Sequence, residues 1–535
     1  MEDFGNKLAH RRNIKRNQWE TDRRFESAFS QYVLSEGKFV NKKQKENLGG
    51  IPVGKNSLTE NVCVDGSDVH SLIIGSTGSK KSRLVVMPMV KILGDAAETM
   101  IISDPKAEIY NKLSFFLKNK GYNIYVMNLR NPSSGNTWNP LAVPYMFYQK
   151  GDMDKVCEFI NDIASNFVLA ERNHADPFWD YSARDLFFGL ALTLFKYCSE
   201  MGYPENFITI QNLLRLRRVM FKRDKESGIS LKLWELVKED DIISSSLIGT
   251  VQAPEKTQSS ILCTFDEKMR IFTIQPNLVD MLSSNTISLE EIGRYKSAIF
   301  LIMPDEKTSY HRLVSAFVKQ SYEYLIYLAQ NIKEKRMKIR INYVLDEFSS
   351  LPQIKDFPAM ITASRSRNIR FHLVIQSKNQ LVNRYMEEAE TIQANCMNWI
   401  FLTSREIALL EELSILCGER EQDRGRLMPV AALQHLNKEN GEALVLSGRL
   451  YPHISVLPDI DCYIKTEYPI LPIVERKLNI QAKVEYDFER YKCEVRKNFG
   501  STKKIVNEQK ELIDIQKELE EKFDELFGNN YENIE

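Results

Sequence analysis

The sequence predicts an α/β protein with a central parallel sheet and an inserted all-helical domain. Three observations carry that prediction. Short apolar, β-branched segments alternate with helical ones over residues 70–130 and again from 297 to 447, the pattern of βαβ units around a buried sheet. Between these blocks, residues 145–285 show long amphipathic helical periods and sparse strand signals. The first strand runs straight into Gly75-Ser76-Thr77-Gly78-Ser79-Lys80-Lys81-Ser82, close to the phosphate-loop pattern G-x-x-x-x-G-K-S/T.

Composition bounds the answer. At 535 residues the chain exceeds one simple domain. Its 43% apolar and 27% charged content fits a globular protein. Net charge is zero, so contact with a polyanion must come from local patches. The eight cysteines form no C-x-x-C pair, which argues against a zinc site and fits reduced thiols. No apolar run approaches the ~18–20 residues that span a bilayer. The expectation is a protein made and kept in the cytoplasm.

In chain order, residues 1–48 read as a polar, basic arm, with pairs such as Arg11-Arg12 and Arg23-Arg24 that suit a solvated helix or a docking segment. Residues 49–144 form the first part of the nucleotide-binding domain, with strands at 71–74, 100–103 and 123–128. The helical insertion follows over 145–285, with helices at 152–165, 181–197, 209–220 and 259–272. Residues 286–470 return to alternation: strands at 297–304, 339–345, 371–376, 398–403 and 442–447, and helices at 310–332 and 354–366. A charged helical tail covers 471–535, with its helix at 506–526.

The residue types name the chemistry. In such a loop, backbone N–H groups of Gly75, Ser76, Thr77, Gly78 and Ser79 cradle phosphates, Lys81 reaches the β/γ-phosphates and the Ser82 hydroxyl holds Mg²⁺. Lys80 stands where glycine is usual. A side chain in a left-handed turn costs roughly 1–2 kcal/mol, and Lys80 would either add a cation near the phosphates or block them. A second signature is the apolar strand ending in Asp346-Glu347. It puts two acids at the C-terminal edge of the sheet, where α/β proteins bind ligands. Asp346 would orient Mg²⁺ and Glu347 would act as general base toward water. The alternative is a strand end capped by solvated acids. Gln376 ends the next strand and would sense the γ-phosphate, or cap a helix. Arg365 and Arg367 face outward near a helix end, where one would serve a neighbour's site as an arginine finger or simply favour the macrodipole. The basic run Arg215, Arg217, Arg218, Lys222, Arg223, with Phe221 among it, reads first as a solvated helix face and second as a phosphate grip with a stacking ring. Phe178 and Trp179 read first as core packing at a helix start and second as a substrate contact.

Several stretches, in order, carry a resemblance. They are Gly49-Gly50-Ile51-Pro52-Val53-Gly54, the loop at 75–82, Ser103-Asp104-Pro105-Lys106-Ala107-Glu108, and Trp138-Asn139-Pro140-Leu141. Asp176-Pro177-Phe178-Trp179-Asp180 and Lys256-Thr257-Gln258-Ser259-Ser260-Ile261 follow. The last are Leu345-Asp346-Glu347-Phe348, Ser364-Arg365-Ser366-Arg367 and Gln376-Ser377. Over residues 49–450 the chain resembles the type IV secretion coupling proteins, the TraG/TraD-like conjugation ATPases. The resemblance implies a RecA-like P-loop domain with an all-helical insertion, assembled as a hexameric ring that uses ATP and Mg²⁺. It implies partners: a relaxase or relaxosome with single-stranded DNA, and the channel proteins of the secretion system. Lys81, Ser82, Asp346 and Glu347 would be the ATPase core, Gln376 the sensor and Arg365 the finger. Family members usually begin with transmembrane helices, so attachment here would pass through a separate membrane-anchor protein at the inner face of the membrane. Two further readings stay open: an adaptor that keeps the fold but has lost turnover through Lys80, and a soluble FtsK/HerA-like DNA translocase.

Overall fold

The computed structural model describes residues 19–40, 48–169, 176–224, 228–229, 234–420, 425–448, 450–464, 466–478, 482–487, 490–491 and 493. The 506–526 helix and most of the basic pairs of the arm lie outside them. The chain forms two compact units, one of residues 1–184 with 259–480, the other of 185–258 with 481–535. The second unit is narrower than the helical stretch expected over 145–285, and the C-terminal segment returns to it. Asn212 makes that return: its side chain donates to the Ala482 carbonyl at 2.9 Å and accepts from Val484 N at 3.1 Å.

Residues 19–40 correct the expectation of a solvated arm. Helix Asp22–Ala28 leads into β1 (Ser30–Val33) and β2 (Lys38–Val40), which pair with β3 (Ile51–Lys55) and β4 (Val62–Asp65) in an antiparallel sheet of order β2-β1-β4-β3. Phe25 and Tyr32 are the reason: both rings are buried in the main core, and two large aromatics outweigh the surrounding charge.

The main sheet is built from β5 (His70–Ile74), β6 (Thr99–Ser103) and β7 (Asn123–Asn128). A two-residue hairpin of the second unit, β8 (Arg223–Asp224) and β9 (Gly228–Ile229), stands apart. The sheet resumes with β10 (Ser297–Ile302), β11 (Ile341–Leu345), β12 (Ile369–Ile375), β13 (Cys396–Phe401), β14 (Glu442–Ser447) and β15 (His453–Val456). Its order is β15-β14-β13-β5-β12-β11-β6-β10-β7. The strands from β13 through to β7 run parallel, and β14 and β15 close one side antiparallel. In β5, β6, β10, β11 and β12 every residue is buried, which is why they read as continuous apolar runs rather than alternating ones. Helices Met87–Asp95 and Glu108–Asn119 pack in the core cluster with them. Trp138 is fully buried, with Nε1 donating to Gln320 Oε1 at 2.8 Å on helix His311–Gln330.

At the N-terminal edge a buried ionic network joins the central strands. Glu98 accepts from Gly49 N at 2.8 Å, Asn342 Nδ2 at 2.9 Å and Arg370 Nη2 at 2.8 Å. Burial pushes the Arg370 guanidinium down to about 10.

Candidate functional site

Because β5, β11 and β12 are parallel and in register, their C-terminal ends meet on one edge. Register pairs Ile74 with Ile375 and Leu345 with Leu373. The loop 75–82 follows β5, Asp346 and Glu347 follow β11, and Gln376 follows β12, the strand between them. The loop is tied down on both sides: Gly75 N donates to Ile375 O at 3.2 Å and Ser76 N to Thr403 O at 2.8 Å. A Cβ at Gly75 would stand 2.5 Å from Ser79 Oγ, so a side chain there would have to displace the Ser79 hydroxyl. Beyond the loop the chain enters a π-helical turn, Ser82–Val86, then helix Met87–Asp95.

Lys80 holds φ +65° and Gly78 φ +77°, so the loop makes its left-handed turn with a side chain at position 80. That side chain pairs with Glu439. Lys81 is buried and donates from Nζ to Gly75 O at 2.5 Å and Ser76 O at 3.4 Å. Burial lowers its pKa, while the Glu347 and Asp346 carboxylates act against that shift.

Ser82 Oγ donates to Asp346 Oδ2 at 3.4 Å. Asp346 is buried, and burial first, then the neighbouring Glu347, pushes its carboxyl up to about 6. Glu347 stands at φ +55° and accepts from Gln376 Nε2 on both oxygens at 2.8 Å. Gln376 Oε1 in turn accepts from Thr77 Oγ1 at 3.1 Å. A continuous hydrogen-bonded path therefore runs from the phosphate loop through Gln376 to the second acid. Backbone strain at Glu347 is of the kind that clusters at functional sites.

The residues fit a nucleotide with a divalent cation. Ser79 Oγ is buried without a hydrogen-bond partner and lies against Gly75 within the loop. Ser82 and Asp346 offer two oxygen ligands at one point. Among the described residues no cluster of three His, Cys, Asp or Glu side chains stands ready to hold a metal. Mg²⁺ is usually held by one or two protein ligands plus phosphates, so the Ser82 and Asp346 oxygens would be enough for it.

The edge thus brings together Gly75 to Ser82, Asp346, Glu347 and Gln376. Arg365 is elsewhere. It is exposed on the 3₁₀ turn Arg365–Arg367 that precedes β12, and the seven residues of β12 set it about 20 Å from this chain's own loop at roughly 3.3 Å per residue. Phe221 is buried at 5% exposure, which removes it as a stacking ring. Phe178 corrects the core reading: it is 48% exposed and meets Trp179 edge-on at 5.1 Å, because its helix starts at the surface. Sequence reasoning also passed over Asp104. This carboxyl accepts from Tyr110 N at 2.8 Å, and burial, with a contribution from Asp346, raises it to about 7. Its signal was an acid directly after a buried strand, as at Asp346.

Fold and edge together define a P-loop α/β protein. The family described as type IV secretory system conjugative DNA transfer matches residues 18–422, and this chain belongs to it. Protein VirD4 of Rhizobium rhizogenes is 22% identical over 340 residues, covering 61% of this chain and 46% of that protein; the chain thus spans about half of its relative's length. Among solved structures, the conjugative coupling protein TrwBdeltaN70 in its unbound monoclinic form aligns with TM-score 0.57 and 17% identity, covering 82% of this chain and 95% of that one. TrwB in complex with the ATP analogue ADPNP aligns with TM-score 0.57 and 18% identity over 81% and 94%. TrwB with ADP and Mg²⁺ aligns with TM-score 0.56 and 16% identity over 84% and 96%. These likenesses show a shared RecA-like fold. Among the described residues no helix is long and apolar enough to cross a membrane.

Proposed function

We propose that this coupling-family chain is an ATP-driven motor that recruits relaxase-bound single-stranded DNA or protein substrates and delivers them to the envelope channel. The observation that carries the reading is the path from Thr77 through Gln376 to both oxygens of Glu347. It connects the phosphate loop to the acid placed to act on water. ATP would supply the phosphoanhydride bond, and its Mg²⁺ the charge that stabilises the transferring phosphate. Lys81 and the loop amides bind the phosphates, Ser82 and Asp346 hold the cation, and Glu347 accepts the proton of the attacking water. The TrwB complexes with ADPNP and with ADP and Mg²⁺ support this choice of ligands.

The ring follows from the same reading. Arg365, about 20 Å from its own loop by strand length, would serve a neighbouring subunit's site in a hexamer. Membrane association would pass through a separate anchor protein and the channel proteins. The adaptor reading requires Lys80 to obstruct the loop, and the Lys80–Glu439 pair is compatible with either reading.

Glu347→Gln tests the assignment. ATP binding should persist, because it uses the loop, and hydrolysis should fall roughly 10²- to 10⁴-fold with the base removed. Equal turnover by the two proteins would sink Glu347 as the base.

A further inference from the structure

Lys80 belongs to the phosphate loop by sequence, yet its ammonium is committed to a carboxylate 359 residues further along the chain. The segment that supplies this carboxylate is the turn between helix Val430–Gln434 and β14. The turn is built to project two side chains toward the loop. Asn437 Oδ1 accepts from Glu439 N at 3.0 Å and Asn440 N at 3.3 Å, and Asn437 N donates to Glu442 Oε2 at 2.9 Å. Gly441 closes it at φ +74°, where a Cβ would stand 2.2 Å from Leu457 O, so only glycine serves. Presented this way, Glu439 takes Lys80 while Lys438 Nζ donates to Gly78 O at 3.4 Å. Two consecutive residues of one turn thus engage the two left-handed residues of the loop.

We propose that the 437–441 turn is a clasp on the phosphate loop, with Glu439 a positioning residue that competes with bound polyphosphate for the Lys80 ammonium. The inference rests on the nucleotide-binding reading. A lysine at φ +65° in the phosphate loop can pair with the Glu439 carboxylate or, when nucleotide is bound, with a phosphate. Glu439 holds the ammonium until phosphate replaces the carboxylate. Glu439 is 66% exposed and the Lys80 side chain 30% exposed, so the pair is weak enough to exchange. The bond from Lys80 holds the Glu439 carboxyl below its ordinary range.

The test is titration of the full chain with MgADP, comparing wild type, Glu439→Gln, Lys80→Met and the double variant at low and high salt. Glu439→Gln frees the ammonium and should tighten MgADP roughly two- to five-fold, the range of an exposed ion pair. The gain should shrink at high salt. Lys80→Met removes the phosphate contact together with the ion pair, and adding Glu439→Gln in that background should change nothing further. A merely structural clasp predicts the opposite: Glu439→Gln would loosen the loop and weaken binding whether or not Lys80 is present. Unchanged or weaker binding by Glu439→Gln, or a gain that survives in the Lys80→Met background, would overturn the proposal. If wild type binds no MgADP while Lys81→Ala is indistinguishable from it, the nucleotide reading itself is refuted, and the clasp with it.

Discussion

Replacing Glu98 by glutamine should destabilise the main sheet by about 3–5 kcal/mol, the cost of leaving one member of a buried ion pair alone. The magnitude follows from the surroundings of Arg370, whose side chain is 1% exposed against 6% for Glu98. Arg370 also donates to Asn342 Oδ1 at 2.9 Å, Ser67 O at 3.1 Å and Gly49 O at 3.2 Å. Those acceptors are all neutral, so they satisfy geometry without balancing the charge. Arg340, the other cation nearby, has Asp68 at 2.7 Å and reaches Glu98 only at 3.5 Å. A glutamine also turns an –NH₂ donor toward Asn342 Nδ2 or Arg370, where two donors now face each other. The network joins the entries of β6, β11 and β12, so the loss should be read there. Hydrogen exchange of peptides from these strands should accelerate roughly 10²-fold or more, since each ~1.4 kcal/mol is a factor of ten. Adding Arg370→Met should recover much of the loss, because an apolar side chain removes the charge that Glu98→Gln orphaned. Exchange within three-fold of wild type in the single variant, or no recovery in the double, would refute the argument.

Other consequences are as specific. Lys80→Gly should raise thermal stability by about 1 kcal/mol, the relief of left-handed strain less the added freedom of the unfolded chain, with MgADP affinity within about two-fold since the exchangeable pair it removes is weak; a ten-fold gain in calorimetric affinity would show that the strain is instead met on binding. His70 accepts from Phe371 N at 2.9 Å, and burial holds it down to about 3. The folded state therefore keeps it neutral while the unfolded chain takes a proton below about pH 6.5, so stability should fall as pH drops from about 6.5 toward 3. Urea midpoints from pH 7.5 to 5 should fall less steeply for His70→Gln, and parallel slopes would contradict the assignment. Arg365→Ala should lower turnover while sparing ATP binding, and mixing it with Glu347→Gln subunits should restore part of the activity. Confirmed co-assembly without rescue would leave Arg365 a solvated turn residue.

Much of the site was legible because its logic is local. A strand buried on both faces is mostly apolar rather than alternating, so the apolar C-terminal halves of β5, β11 and β12 announce themselves, while the buried polar residues at their starts, such as Asn342 and Arg370, do not. The residues that follow such strands stand on the ligand edge of a parallel sheet, so the loop at 75–82, Asp346-Glu347 and Gln376 could be placed from sequence alone. The family likeness followed from the same short stretches in order. Partnerships between distant segments were not legible. That β12 lies between the loop strand and the acid strand, so that Gln376 bridges Thr77 and Glu347, depends on strand order. No periodicity records strand order. Arg365 precedes β12, and only the direction of that strand in the sheet shows it to be on the far edge. Phe25 and Tyr32 sit among charges that read as solvated, and it was their burial against distant strands that decided otherwise. The fate of Lys80 is the clearest case. Its backbone conformation followed from the motif, but the partner of its side chain was decided by Glu439, supplied by the turn between helix Val430–Gln434 and β14, 359 residues further along the chain. Sequence dictates local conformation through sterics and burial. The choice of partner for each charge is made by packing, because a charge interacts with whatever the fold brings within a few ångströms of it.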